Sequence, residues 1–184
     1  GLMRTEFLYM KSRHLPDEET QFAAYREVAE KMQGKPVNIR ALDSGSDKVI
    51  PGITFFPEDN PAMGWRGVRI LLEKTDIFRT QLRAILRASA FGKIRLVLPM
   101  VISLEEIRQV RLLMEEVRKE LRQENISFDE QLEVGMMVET PASVFILDIL
   151  LTELDFVTIG TNDLTQYILA ADRTNNRLSG YYNH

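Results

Sequence analysis

The feature that most constrains this chain is a repeated order of a short apolar strand followed by a helix, which occurs five times. Each predicted strand is a short apolar run, and the segments between them have helical spacing of apolar residues. The predicted strands are 1–6, 36–42, 93–100, 132–139 and 155–159. Strands that alternate with helices pair in parallel through right-handed crossovers. The order therefore predicts an α/β fold, either a doubly wound sheet or an eight-stranded (β/α)8 barrel.

The helix boundaries are predicted from capping residues. Ser103 and Glu106 form a capping box, Thr75 is a candidate N-cap, and Asn162 or Asp163 is a candidate N-cap for the last helix. A long loop with three prolines, 50–64, interrupts the pattern and is of a length that is commonly functional. The predicted helices are 16–33, 65–74, 76–91, 103–124, 140–153 and 164–171.

Composition excludes several classes of function. The 184 residues are 45% hydrophobic, which is enough for a sizeable core. The net charge of −4 and the lack of a basic run argue against binding nucleic acid, and no apolar run reaches the length needed for membrane insertion. The chain has no cysteine, which fits a reducing cytoplasm and excludes a thiolate metal site. No glycine-rich G-x-G-x-x-G loop follows a strand, which weakens a dinucleotide-binding interpretation.

Charged side chains lie where the predicted strands end. Because the carboxyl ends of parallel strands form one rim, we expect these side chains to meet there. Glu139 and Asp163 each also have a structural interpretation, as a buried partner for an arginine and as a helix cap, respectively. The rim residues are Arg4, Arg40, Lys48, Glu139 and Asp163, with Arg66 after the long loop and Arg173 beyond the last helix.

These residue types predict a particular chemistry. Two carboxylates from neighbouring strands suit Mg²⁺, which takes few protein ligands and completes its octahedron with water and substrate oxygens. Arginine guanidinium groups bind carboxylate and phosphate through paired hydrogen bonds. The residues alone thus predict a Mg²⁺-dependent site for a phosphorylated carboxylate on an α/β scaffold.

Longer motifs carry a resemblance to a known family. The segments GLMRTEF, GWRGVR, RAILRASAFGKIRLVLPM, VGMMVETPAS and IGTNDLTQYILAADR together resemble the phosphoenolpyruvate-binding domain of enzyme I of the bacterial phosphotransferase system. The resemblance covers essentially the whole chain, so 1–184 is interpreted as one partial domain of this type. RTEF with GTNDLTQY favours enzyme I over phosphoenolpyruvate synthase and pyruvate phosphate dikinase. The segments QYILAADRTNNR and GWRGVRI are closer to the nitrogen-related branch than to the sugar branch, and the branch stays open.

The resemblance implies a (β/α)8 TIM barrel of the phosphoenolpyruvate/pyruvate type and a role for each rim residue. In the family, phosphoenolpyruvate gives its phosphoryl group to a histidine on a separate domain and pyruvate is released. A phosphocarrier protein then receives the group by way of that domain, and the phosphoenolpyruvate-binding domain forms a homodimer. Glu139 and Asp163 match the Mg²⁺ ligands. The implied substrate-binding residues are Arg4, Arg40, Lys48, Arg66, Asn162 and Arg173.

The chain departs from the family in what it lacks. The motif of the phosphorylated histidine is absent, and His14 and His184 are expected to be solvated residues. The cysteine that protonates enolpyruvate in the family is also absent, so we expect no catalytic residue in this piece and no turnover by the chain alone. Two alternatives stay open: a piece of phosphoenolpyruvate synthase or pyruvate phosphate dikinase, and a non-catalytic regulatory or dimerisation module.

The family's plan also predicts an incomplete barrel. The chain corresponds to strands two to six of the family's eight, about five β/α units, so its sheet has two open edges at 1–6 and 155–159. The inward faces of the strands are then left without partners, including Val157 and Ile159 if their side chains point inward, and we expect the chain to associate through its open side.

Overall fold

A computed structural model describes residues 1–11, 14–46 and 50–182. Its centre is a five-stranded parallel sheet in the order β1-β2-β3-β4-β5. Consecutive strands are neighbours throughout, whereas a doubly wound sheet reverses its strand order at a switch point. The sheet is thus wound in one direction and forms an incomplete (β/α)8-type barrel of five strands, as predicted. The strands are Leu2–Arg4, Val37–Arg40, Ile94–Leu98, Glu133–Val138 and Phe156–Ile159, numbered β1 to β5.

Helices follow each strand, with boundaries close to those predicted. Three short 3₁₀ helices cover Pro61–Met63, Leu151–Glu153 and Asn176–Tyr182. The helix Glu6–Lys11 was missed, because six residues are too few to show helical periodicity. The α-helices, numbered α1 to α8, are Glu6–Lys11, Glu18–Lys31, Val68–Glu73, Thr75–Ser89, Leu104–Gln123, Pro141–Phe145, Leu147–Leu150 and Thr161–Leu169.

The predicted caps have mixed outcomes. The Ser103–Glu106 capping box at the start of α5 is confirmed. Thr75 is not a cap, since it is the first residue of α4 and Lys74 occupies the N-cap position without a side-chain hydrogen bond. The predicted helix 140–153 starts as expected at Thr140 but breaks at Ile146 into α6, α7 and a 3₁₀ turn. Ile146 and Val144, two residues before it, are β-branched, which lowers helix propensity.

The two faces of the sheet have different chemistry. Strand register aligns Leu98, Met136 and Val157 in one row, and all three pack in the core between sheet and helices. Val157 therefore points away from the barrel interior, and Ile159, two residues on, shares its face of β5 while also lining the cavity at the strand ends. Another row crosses the inner face and carries two arginines: Arg4, Arg40, Val97, Gly135 and Phe156.

The inner face is closely packed at one point and carries several charged side chains. A Cβ on Gly135 would lie 2.7 Å from the Phe156 ring, so glycine allows that ring to cover β4. Arg95 lies over the same ring and also pairs with Glu133. This mixture of arginine, glutamate and aromatic side chains leaves the inner face less apolar than expected. The two sheet edges are β1 and β5, and association through the open side stays a prediction. Within the described ranges, the helices are too short or too polar to cross a membrane.

Candidate functional site at the strand ends

The rim of the sheet holds a cavity of about 240 Å³. Four arginines from different parts of the chain line it together with three carboxylates, Asp43, Glu139 and Asp163. Parallel topology brings these residues together, because each lies at or beyond the carboxyl end of a strand. The cavity contains every predicted rim residue except Lys48, which lies outside the described residues. The arginines are Arg4, Arg40, Arg66 and Arg173, and Asn162 also lines the cavity.

Arg66 is held by a buried carboxylate that the sequence analysis did not single out. Its Nε and Nη2 donate to Asp43 Oδ1 and Oδ2 at 3.0 and 2.8 Å. Its Nη2 also lies 3.5 Å from Asp163 Oδ2. Burial alone would lower the pKa of Arg66, but the hydrogen bonds and charge of Asp43, with the charge of Asp163, outweigh burial and raise it. The guanidinium plane is therefore fixed and charged before any ligand arrives.

Arg40 has a similar pair of anionic neighbours. It forms an ion pair with Glu6, and its Nη1 lies 3.3 Å from Asp43 Oδ2. Glu6 is almost fully buried and also lies 3.8 Å from Arg4 Nε. Glu6 and Asp43 were both missed, although Glu6 is the last residue of the predicted strand 1–6 and Asp43 directly follows the predicted strand 36–42. The rule that selected the other rim residues would have found them.

Glu139 is buried and has no ion pair within the part of the chain that the structure describes. Its Oε1 accepts a hydrogen bond from the backbone N–H of Met100 at 2.7 Å. Among residues 1–11, 14–46 and 50–182, no arginine forms an ion pair with it, which argues against its interpretation as an arginine partner. Burial, the nearby charge of Asp43 and, to a smaller extent, that of Asp163 raise the pKa of Glu139 to about 7.

Asp163 does not cap the last helix. Helix α8 begins at Thr161 with Gly160 at the N-cap position, so Asp163 is in the first turn. Its side chain lies between two arginines: Arg66, and Arg173, whose Nη1 is 3.6 Å from Oδ1. That Oδ1 atom is buried and accepts no hydrogen bond from the described residues. The predicted capping roles of Asn162 and Asp163 are wrong, because the helix begins at Thr161, three residues before the predicted start at Leu164.

A metal ion at this site could be held by no more than two acidic side chains of the described chain. No group of three or more histidine, aspartate or glutamate side chains in the described ranges is arranged to hold a metal. Two of the cavity carboxylates have an oxygen available to a cation: Glu139 has no ion pair with an arginine of the described chain, and Asp163 Oδ1 accepts no hydrogen bond there, although Arg173 Nη1 lies 3.6 Å away. Gly160 leaves room for the Glu139 side chain beside the start of α8, since a Cβ there would lie 2.6 Å from Glu139 Oε2.

The raised pKa of Glu139 predicts a dependence of stability on pH in metal-free buffer. The pKa of glutamate in the unfolded chain is 4.5. Between pH 4.5 and about pH 7 the folded state therefore keeps a proton on Glu139 that the unfolded chain releases. The stabilisation is fully present below pH 4.5 and is lost as pH rises through 7. It amounts to about 3 kcal/mol by the usual conversion of pKa into free energy.

Urea unfolding of the parent and Glu139→Gln from pH 5 to pH 8 with a chelator measures this effect. Glutamine cannot ionise, so the variant should gain stability relative to the parent as pH rises. Glu105→Gln, at an exposed position, should follow the parent at every pH. Parallel curves for the parent and Glu139→Gln would show that Glu139 is ionised normally.

Fold and cavity define a class, a barrel-type α/β domain with a cluster of arginines and carboxylates at its rim, and comparison with known proteins agrees with it. The family described as PEP-utilising enzyme, PEP-binding domain matches residues 1–184. The chain therefore belongs to the family of PEP-binding domains of PEP-utilising enzymes.

Three curated relatives share the name phosphoenolpyruvate-protein phosphotransferase. The chain is 52% identical over 183 residues to the one from Buchnera aphidicola subsp. Schizaphis graminum, covering 100% of this chain. It is 50% identical over 182 residues to that of Priestia megaterium and over 183 residues to that of Haemophilus influenzae, covering 99% and 100% of this chain. The chain spans only 32% of the length of these relatives. A solved citrate lyase from Burkholderia xenovorans has a TM-score of 0.49 and 16% identity over 92% of this chain and 50% of its own.

Proposed function

We propose that this chain binds phosphoenolpyruvate at the strand ends, as part of an enzyme that transfers the phosphoryl group to a histidine of a separate domain and releases pyruvate. The observation that carries the proposal is the convergence of four arginines and three carboxylates on one cavity. Phosphoenolpyruvate presents a phosphate and a carboxylate, the two groups that guanidinium forks bind best. The relatives' shared name supports the same reaction.

We further propose that Glu139 and Asp163 hold Mg²⁺ in this cavity. The three carboxylates that line it offset most of the arginine charge, so a highly anionic ligand gains from an added cation. Glu139 is buried with no ion pair to an arginine of the described chain, and one Asp163 oxygen has no hydrogen bond there. When bound, Mg²⁺ supplies positive charge that offsets the charge of the phosphoryl oxygens.

The four arginines of the cavity differ in mobility and therefore in how they bind the ligand. Arg40 and Arg66 are buried and pinned, so they present fixed donors to the ligand. Arg4 and Arg173 have side chains that are 51% and 42% exposed, so they can move onto the ligand as it enters. Asn162 is exposed beside them and offers an amide donor. Fixed and mobile donors together hold both anionic ends in place for transfer.

The cellular role proposed for the parent enzyme comes from the same family. The parent enzyme acts in the cytoplasm at the head of the phosphotransferase system, passes the group to a phosphocarrier protein and works as a homodimer. Sugar transport and nitrogen regulation are both compatible with the site, since neither alters the residues that bind phosphoenolpyruvate.

Titration calorimetry of the chain with phosphoenolpyruvate, with and without Mg²⁺, tests the proposal directly. We expect binding that requires Mg²⁺, and Arg173→Lys should weaken it roughly tenfold because an ammonium group cannot replace a bidentate fork. Arg177→Lys is the matched control, since Arg177 is exposed and only its backbone N–H has a hydrogen bond in the described chain. No heat at millimolar phosphoenolpyruvate, or equal losses in the two variants, would refute this function.

A further inference from the structure

Tyr167 connects the long loop to the last helix at the edge of the cavity. Its hydroxyl donates to the backbone carbonyl of Ala62, a residue 105 positions earlier in the chain. Ala62 belongs to the 3₁₀ helix Pro61–Met63, at the end of the loop that leads to Arg66. Tyr167 lies one helical turn after Asp163, so the two side chains share a face of α8.

The carbonyl that Tyr167 holds is also a partner of Arg66. Arg66 Nη1 donates to Ala62 O at 3.4 Å, and a carbonyl oxygen has two lone pairs for two donors. Arg66 is thus held at three points, by Asp43, Asp163 and the Ala62 carbonyl. One Nη1 hydrogen has no acceptor among the described residues, which leaves it for a ligand.

The other end of this segment is fixed by close packing. Gly67 has a φ of +58°, and a Cβ there would lie 2.9 Å from Met100 Cβ. The Tyr167 hydroxyl lies 3.9 Å from Met100 Sδ, and the Met100 N–H donates to Glu139. The backbone around Arg66 is therefore anchored on the sheet rim at Gly67 and on α8 at Ala62.

We propose that Tyr167 is a positioning residue: its hydrogen bond to Ala62 ties the loop 50–64 to α8 and so fixes Arg66 for phosphoenolpyruvate. This inference rests on the proposed function. Without the hydroxyl, the 3₁₀ helix loses its link to α8, and the Ala62 carbonyl no longer stays in place for Arg66. The pinned guanidinium then loses one of its three supports while its bond to Asp43 remains.

The mobility of the loop 50–64 can be measured by the fluorescence of a natural residue. Trp65 is the single tryptophan, and it packs edge-to-face on Phe55 with ring centroids 5.7 Å apart. Quenching of Trp65 fluorescence by acrylamide therefore reports how firmly the loop is held. It requires no ligand, so it is independent of the proposed substrate.

The test compares Tyr167→Phe with Tyr182→Phe. Tyr182 donates a hydroxyl hydrogen bond to the Ala171 carbonyl, so the control removes the same kind of bond outside the cavity. In Tyr167→Phe we expect faster acrylamide quenching and phosphoenolpyruvate affinity reduced about fivefold, as for loss of one hydrogen bond. Mg²⁺ affinity should stay within about twofold of the parent, because neither carboxylate has been changed. The control should match the parent in all three measurements.

Each other result counts against the proposal. Parental phosphoenolpyruvate affinity in Tyr167→Phe, with or without faster quenching, would show that Arg66 does not depend on Tyr167. Equal losses in Tyr182→Phe would show a general effect of removing hydroxyl groups. If the parent binds no phosphoenolpyruvate, the proposed function fails. The link between the loop 50–64 and α8 is then judged by Trp65 quenching alone. Unchanged quenching in Tyr167→Phe would overturn that link, and faster quenching would support it. Thermal melting checks folding, and Tyr167→Met serves if Tyr167→Phe does not fold.

Discussion

In the intact parent enzyme, Glu139→Gln or Asp163→Asn should lower the rate by on the order of a hundredfold or more and sharply raise the Mg²⁺ concentration needed for half-maximal rate. The reason lies in their surroundings. Glu139 is buried with only a backbone N–H on its Oε1, and Asp163 Oδ1 is buried without a hydrogen bond from the described chain. An amide in either place keeps the shape but loses the negative charge that attracts the ion.

A neighbouring carboxylate provides the control for these variants. Asp172 is exposed and accepts hydrogen bonds from Thr174, so Asp172→Asn should leave the Mg²⁺ requirement unchanged. Binding of Mn²⁺ to the chain, followed by proton relaxation, gives a readout that is separate from turnover. Parental Mg²⁺ dependence in either carboxylate variant would show that the two residues do not share a metal.

The position of the site could be predicted because it follows from topology. Strand periodicity located β1 to β5, and parallel pairing places the ends of all five strands on one rim. Arg4 and Glu139, which are far apart in sequence, therefore line one cavity. The binding roles of these residues and of Lys48 stay predictions.

The pairing of charges within the rim could not be predicted. Sequence shows that Arg40, Asp43 and Arg66 come to the same rim, but not which of them touch. The bidentate contact of Arg66 with Asp43 depends on how the loop 50–64 returns to the sheet, and that loop has no periodicity to constrain it. For the same reason the contact between Tyr167 and Ala62 has no local signal.

Removing the charge of Asp43 should destabilise the fold by on the order of 3 kcal/mol, as when one partner of a buried ion pair is lost. Asp43 is 1% exposed and contacts two guanidinium groups that are themselves buried. Asp43→Asn leaves Arg40 with Glu6 and Arg66 with Asp163, and neither replaces the bidentate contact. Urea unfolding followed by Trp65 fluorescence measures the loss, and Asp148→Asn at an exposed position is the matched control.

A double variant separates the loss of the charge from the loss of packing. Asp43→Asn combined with Arg66→Met removes both members of the bidentate pair, so Arg40, which keeps its ion pair with Glu6, is the one buried guanidinium of this cluster that still loses its contact with Asp43. Replacing both partners of a buried pair by groups of similar shape is often close to neutral, so the double variant should be more stable than Asp43→Asn alone. If Asp43→Asn stays within about 0.5 kcal/mol of the parent, the buried guanidiniums do not depend on Asp43. Arg40 and Arg66 would then have to be held by Glu6, Asp163 and the Ala62 carbonyl alone.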